Sequence, residues 1–99
     1  MMQRKSELSK SRLDIHGAFV RRADLSRASL RSANLDEADA TNAIFRGADF
    51  AGASLKGTIL RGADLSDATN LTLEQLSQAV IDSATILPSY IDRSRLTSR

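Results

Sequence analysis

The 99-residue sequence is 41% hydrophobic and 26% charged, which fits one small domain and excludes both a second independent core and a disordered chain. It has no cysteine and a single histidine, His16, so disulfide frameworks, thiolate or histidine metal sites, and catalysis by cysteine or a histidine pair are ruled out. The net charge of +2 is unevenly spread: residues 1–12 carry Arg4, Lys5, Lys10 and Arg12 against Glu7, whereas residues 13–70 and 71–99 are each close to neutral.

In chain order, residues 1–12 read as a polar, basic N-terminal segment, with Leu8 in phase with Leu13 and expected to tuck over the first coil of the adjoining repeat region. No apolar run reaches the roughly 18 residues of a membrane span, and the polar opening lacks the apolar stretch of a secretory signal. These features lead to the expectation of a cytoplasmic protein with no membrane partner.

From residue 13 to residue 72 the sequence repeats every five positions. Every fifth residue from Ala18 to Ala68 is alanine except Thr58. Two residues later, the series from Val20 to Asn70 is large and apolar except at Ala40 and Asn70. All five glycines fall two residues after that apolar position. Such a period cannot make a helical stripe, because five residues advance about 500° and smear the leucines around the axis. A straight strand fails as well, since residues five apart point to opposite faces. Short extended pieces joined by bends satisfy the pattern, with alanine and the apolar residue both facing a narrow interior. Glycine suits the bends, but Arg22, Arg27, Ser32, Glu37 and Asn42 share its phase, so the corner is not expected to require positive φ.

The tandem units Ala23-Asp24-Leu25-Ser26-Arg27, Ala33-Asn34-Leu35-Asp36-Glu37 and Ala63-Asp64-Leu65-Ser66-Asp67 resemble the pentapeptide-repeat family. The resemblance covers residues 13–72 and implies an all-β solenoid: a right-handed quadrilateral parallel β-helix with four pentads, or 20 residues, per coil and about three coils. Beyond the repeats, Thr72-Leu73-Glu74-Gln75 has capping-box form, and Leu73, Leu76 and Val80 share one face, predicting a short capping helix from residue 73 to about Ile81. Residues 73–91 are read as helix and capping segment, similar to the tails of bacterial pentapeptide-repeat proteins, and residues 92–99 as a flexible tail.

No catalytic, cofactor-binding or metal-binding pattern appears. The recurring Asp24, Asp39, Asp49 and Asp64 occupy a fixed repeat position and are read as outward residues bonding local backbone rather than as acid–base pairs. The glycines lack the Gly-Lys-Ser/Thr ending of a phosphate loop. With 20 residues per coil, His16, Asp36 and Lys56 form a column of alternating charge. Phe19, Ile44 and Ile59 are apolar in the outward phase, near Arg21, Arg22 and Arg61. These six residues are the candidate interaction surface, unless the C-terminal segment covers the apolar ones.

The function expected is a non-enzymatic scaffold or protein-interaction module, its partner another protein rather than nucleic acid and its self-association open. The resemblance also brings an alternative, a DNA-mimicking binder of gyrase or a related topoisomerase, which the near-neutral repeats and their arginines do not favour. A second alternative is weak, non-specific nucleic-acid binding through the basic residues, for which no aromatic stacking platform is present.

Overall fold

The computed structural model describes residues 12–96. The chain winds in coils of 20 residues that stack in register: Asp14 pairs with Asn34 and Asn34 with Ser54, Phe19 with Asp39 and Asp39 with Ile59, Asp24 with Ile44 and Ile44 with Asp64, and Ser29 with Asp49 and Asp49 with Thr69. All these pairings are parallel. They define four faces separated by four corners.

The expectation of an all-β solenoid, a quadrilateral parallel β-helix, requires correction. Among the described residues there is no β-strand; every pairing is an isolated bridge one residue long, and the helices are two short ones. The cause lies in the backbone. The second corner residue of each pentad has positive φ, at glycines such as Gly52 (70°) and also at Arg22 (62°), Arg27 (61°), Ser32 (59°), Glu37 (63°), Asn42 (61°) and Asp67 (60°). Extended backbone is therefore interrupted every five residues and no ladder can propagate along the chain. The molecule is a stack of turn-linked coils rather than a sheet-walled β-helix. The same angles overturn the expectation that the corner tolerates negative φ. Six non-glycine residues at this phase adopt the left-handed region, as the third residue of a type II turn must.

Each pentad uses its backbone groups almost completely. In the first, Ile15 N–H donates to Asn34 O (2.9 Å) and Gly17 N–H to Asp36 O (2.8 Å) in the next coil, while Ala18 N–H closes the turn on Ile15 O (2.9 Å). One coil later, Asn34 N–H donates back to Leu13 O (2.8 Å). In this second-coil pentad, which has a neighbouring coil on both sides, only the first corner N–H is left over. Where the face residue is Asp or Asn, its side chain accepts that bond: Asp24 from Ser26, Asn34 from Asp36, Asp39 from Thr41, Asp49 from Ala51 and Asp64 from Ser66. The Ala-Asp/Asn-Leu motif is thus a backbone-satisfying unit, with its two apolar residues inward and its carboxylate or amide turned along the surface.

The interior is a column of Leu30, Leu35, Phe45, Phe50, Leu55, Leu60 and Leu65, interleaved with alanines, all essentially inaccessible to solvent. Phe45 and Phe50 meet at a tilt of 56° with ring centroids 5.5 Å apart. Thr58, which replaces an inward alanine, donates its hydroxyl to Leu35 O (2.7 Å) and so adds no unpaired polar atom to the core.

Asn70, with φ 61°, breaks the repeat, and the capping box forms as expected: Gln75 N–H donates to Thr72 Oγ1 (3.0 Å) and Thr72 N–H to Gln75 Oε1 (2.8 Å). The helix it starts, α1 (Leu73–Ser77), is shorter than predicted. It stops because the chain must return to the stack: Val80 bridges Ile59, and Ile86 bridges Asp64. A 3-10 helix spans Arg93–Arg95, and the Arg93 guanidinium donates to Asp82 O and Thr85 O. The expected placement of Leu8 falls outside the described residues.

Candidate interaction surface

Two faces adjoin the corner formed by Arg21, Thr41 and Arg61 and, one residue on, by Arg22, Asn42 and Gly62. One face presents the column Phe19, Asp39, Ile59 and Val80; the other presents Asp24, Ile44, Asp64 and Ile86. All six candidate residues therefore lie on this corner or its two flanks. Phe19 is 72% exposed, so the C-terminal segment does not cover it; Ile44 and Ile59 are half-buried, each between the residues above and below it in its column.

An apolar residue at these positions has a second consequence. Where Asp or Asn would accept the corner N–H, Phe19, Ile44 and Ile59 cannot, and among the described residues the N–H groups of Arg21, Arg46 and Arg61 have no intramolecular acceptor. The sequence forgoes a local hydrogen bond at each of these sites and keeps an apolar side chain facing outward.

The arginines differ in their engagement. Arg21 lies over the Phe19 ring, 4.7 Å from its centroid, and its Nε donates to Asp39 Oδ2 at 2.9 Å. It ties the first coil to the second. Arg22 and Arg61 are exposed and form no ion pair among the described residues. An open depression of about 370 Å³ between the coils is lined by Arg21, Arg22, Thr41 and Asn42. The hydrogen bond from the Thr41 hydroxyl, with help from Arg21, holds the Asp39 carboxyl below the usual carboxylate range. Asp82 closes the same corner at its far end, accepting from Gly62 N–H at 3.0 Å, the main cause of its own lowered pKa.

Sequence reasoning did not place Asp39, Thr41 and Asn42 among the six surface residues. The signal for Asp39 is an offset of 18 residues, from a corner to the next coil's face, seen in Arg21–Asp39 and again in Arg31–Asp49. It can be read only once the 20-residue coil is known. In the column of His16, Asp36 and Lys56, Asp36 accepts from the backbone N–H of Lys56 (3.0 Å) rather than pairing with its ammonium group. Among the described residues there is no cluster of potential metal ligands and no helix long and apolar enough to cross a membrane.

The family model described as pentapeptide repeats (8 copies) matches residues 11–47, 28–67 and 43–79. The chain belongs to the pentapeptide-repeat family. A similar solved structure is a pentapeptide-repeat protein of the Arabidopsis thaliana thylakoid lumen, 29% identical with a TM-score of 0.57, covering 88% of this chain and 66% of its own. A pentapeptide-repeat protein involved in heterocyst differentiation regulation in Nostoc is 31% identical (TM-score 0.40; 82% of this chain, 43% of its own). Another, from Cyanothece, is 25% identical (TM-score 0.35; 75% and 56%). The chain thus spans less than two thirds of the length of each of these structures. No curated protein matches the sequence. The thylakoid-lumen relative corrects the cytoplasmic expectation: a similar pentapeptide-repeat structure serves outside the cytoplasm, so polar composition does not assign that compartment. Family membership makes the chain a non-enzymatic scaffold or interaction module.

Proposed function

We infer that this pentapeptide-repeat protein binds another protein through the corner of Arg21, Arg22 and Arg61 and its apolar flanks Phe19, Ile44 and Ile59. The observation that carries this reading is the replacement of the Asp/Asn face residue by an apolar one at three positions, each at the cost of a corner hydrogen bond. Folding alone favours the carboxylate or amide there, whereas a partner surface favours the apolar group. The exposed Phe19 ring under a guanidinium resembles the aromatic and arginine anchors on which protein interfaces concentrate their binding energy. Self-association through the same surface is the second form of this reading.

The test compares the full chain with a Phe19→Ser, Arg22→Asn, Arg61→Asn variant in capture experiments from the native host, with sedimentation equilibrium on both proteins. These residues are exposed, so each substitution is expected to change stability by no more than about 0.5 kcal/mol. Loss of a captured protein, or of self-association, at unchanged urea midpoint supports the surface. Identical capture and association by both proteins removes it.

A further inference from the structure

We propose that the open end of the first coil, residues 13–32, is a docking edge for an extended, acidic segment of a partner protein. The proposal rests on the reading of this chain as a protein-interaction module and specifies the place and the partner's chemistry.

The edge is visible in the hydrogen-bond register. In the second coil, Asn34, Asp39, Ile44 and Asp49 each donate their N–H to the coil before. Their first-coil counterparts, Asp14, Phe19, Asp24 and Ser29, have no coil before them among the described residues, and their N–H groups find no acceptor there. The interior is open at the same level. Ile15, Val20, Leu25 and Ala28 are half-buried, whereas Leu35, Ala40, Phe45 and Ala48 one coil on are completely covered. A row of unpaired donors above half-buried apolar side chains is a template for an added extended segment.

Charge selects the occupant. The first coil carries Arg21, Arg22, Arg27 and Arg31 against Asp14 and Asp24, while the second carries Asp36, Glu37, Asp39 and Asp49 against Arg46 alone. The stack is positive at its open end and negative in its middle. Asp39 and Asp49 of the second coil occupy Arg21 and Arg31. Arg22 and Arg27 form no ion pair among the described residues. A second copy docked end to end would set one positive rim against another. A partner segment that alternates acidic and aliphatic residues meets both requirements, laying its aliphatic groups over the open interior and its carboxylates toward Arg22 and Arg27.

The experiment uses the full chain and a short fluorescent peptide of alternating glutamate and valine, with a lysine–valine peptide and a short DNA duplex as the other probes. The test variant is Arg22→Asn with Arg27→Asn; asparagine already occupies this left-handed position at Asn42, so the fold is retained. Lys56→Gln, an exposed cation of the third coil that lies outside the corner surface, is the control. The wild type is expected to bind the glutamate peptide and not the lysine peptide, the double variant to bind it about tenfold more weakly, and Lys56→Gln to match the wild type. Equal loss in Lys56→Gln overturns the end-docking proposal while leaving the corner surface in place. Failure of the wild type to bind the glutamate peptide, or duplex DNA binding more tightly than the peptide, also overturns it.

Discussion

The two ends of the stack are built from the same repeat and finished in opposite ways. At the C-terminal end, Gln75 closes the capping box with its carbonyl and donates its amide to Phe50 O and Ala53 O, both at 2.9 Å. The Tyr90 hydroxyl bonds Ala68 O (2.6 Å) and accepts from Leu71 N–H, and the Thr85 hydroxyl reaches Leu60 O (2.8 Å). Val80 and Ile86 add a last set of bridges, and Leu76, Ala79 and Pro88 are buried. At the N-terminal end, no comparable set of bonds occurs among the described residues, and the inward side chains stay half-exposed. A repeat therefore buries its apolar pair only when a coil or a cap lies on both sides of it. Position in the stack, more than residue type, decides what an inward residue contributes.

The largest test of that contrast compares inward residues in the middle and at the open end. Phe50→Ala is expected to cost about 3–5 kcal/mol, because Phe50 is fully enclosed and its neighbours are held by the coils on either side. Val20→Ala, in the same phase but half-buried, should cost no more than about 1.5 kcal/mol. Urea denaturation of both variants measures the difference; equal losses would mean that the open end is as well packed as the middle. Removing residues 71–99 should turn the C-terminal end into a second open one, seen as concentration-dependent association or aggregation by light scattering.

A smaller effect is expected from the side chain that joins cap to coil. Gln75→Ala removes the acceptor for Thr72 N–H and both donors to Phe50 O and Ala53 O, at a cost of about 1–3 kcal/mol measured by urea denaturation. Gln75→Glu keeps the capping-box acceptor but sets a carboxylate oxygen against the Phe50 and Ala53 carbonyls, so its midpoint should fall well below that of the wild type. If both variants match the wild type, the cap is held by its apolar contacts alone.

Asp49 links the two ends through one carboxylate. It accepts from Asn70 and from Ala51 N–H and pairs with Arg31 of the first coil, and these bonds lower its pKa from 3.8 to about 2. A depressed carboxylate stabilises the fold above its unfolded pKa and loses that contribution as pH falls through the folded value. Stability should therefore decline between about pH 4 and pH 2, and Asp49→Asn should flatten this part of the profile without altering the slope above about pH 6. Thermal melts across this range provide the measurement.

Much of this architecture is legible in the sequence because the alanine and leucine phases report directly on which side chains face inward. The capping box at Thr72 is legible for the same reason, as local chemistry with a fixed spacing. Bond sharing between coils is not: Gln75 reaches back 25 residues to Phe50 O, and Arg21 reaches forward 18 to Asp39. The apolar residues of the candidate surface stand out in sequence as departures from the Asp/Asn phase, but the cost of each departure, an unanswered corner N–H, requires the turn geometry. Backbone conformation is the least legible feature. Arginine, glutamate and serine at the corner suggest a relaxed turn, yet the stack imposes positive φ on all of them, and that interruption limits each pairing to a single bridge.

The smallest expected effect concerns that imposed strain. Ser32 and Gly52 occupy the same corner one coil apart, with φ of 59° and 70°. A non-glycine residue in the left-handed region costs roughly 1–2 kcal/mol, against the roughly 0.5–1 kcal/mol of extra entropy that a glycine loses on folding. Ser32→Gly should thus raise stability by about 0.5 kcal/mol. Gly52→Ala should lower it by about 1 kcal/mol, since its new methyl group would sit 3.4 Å from Ser32 Oγ, in tight contact, on a backbone that disfavours it. The double variant sharpens the comparison of coils. If neither shared backbone strain nor the contact of the new methyl group with Ser32 Oγ couples the corners, the two changes add; if either does, their sum departs from additivity by more than about 0.5 kcal/mol. Urea midpoints of the two single variants and the double variant distinguish these cases, and a destabilising Ser32→Gly would show that the serine is held at this corner by something stronger than its backbone strain.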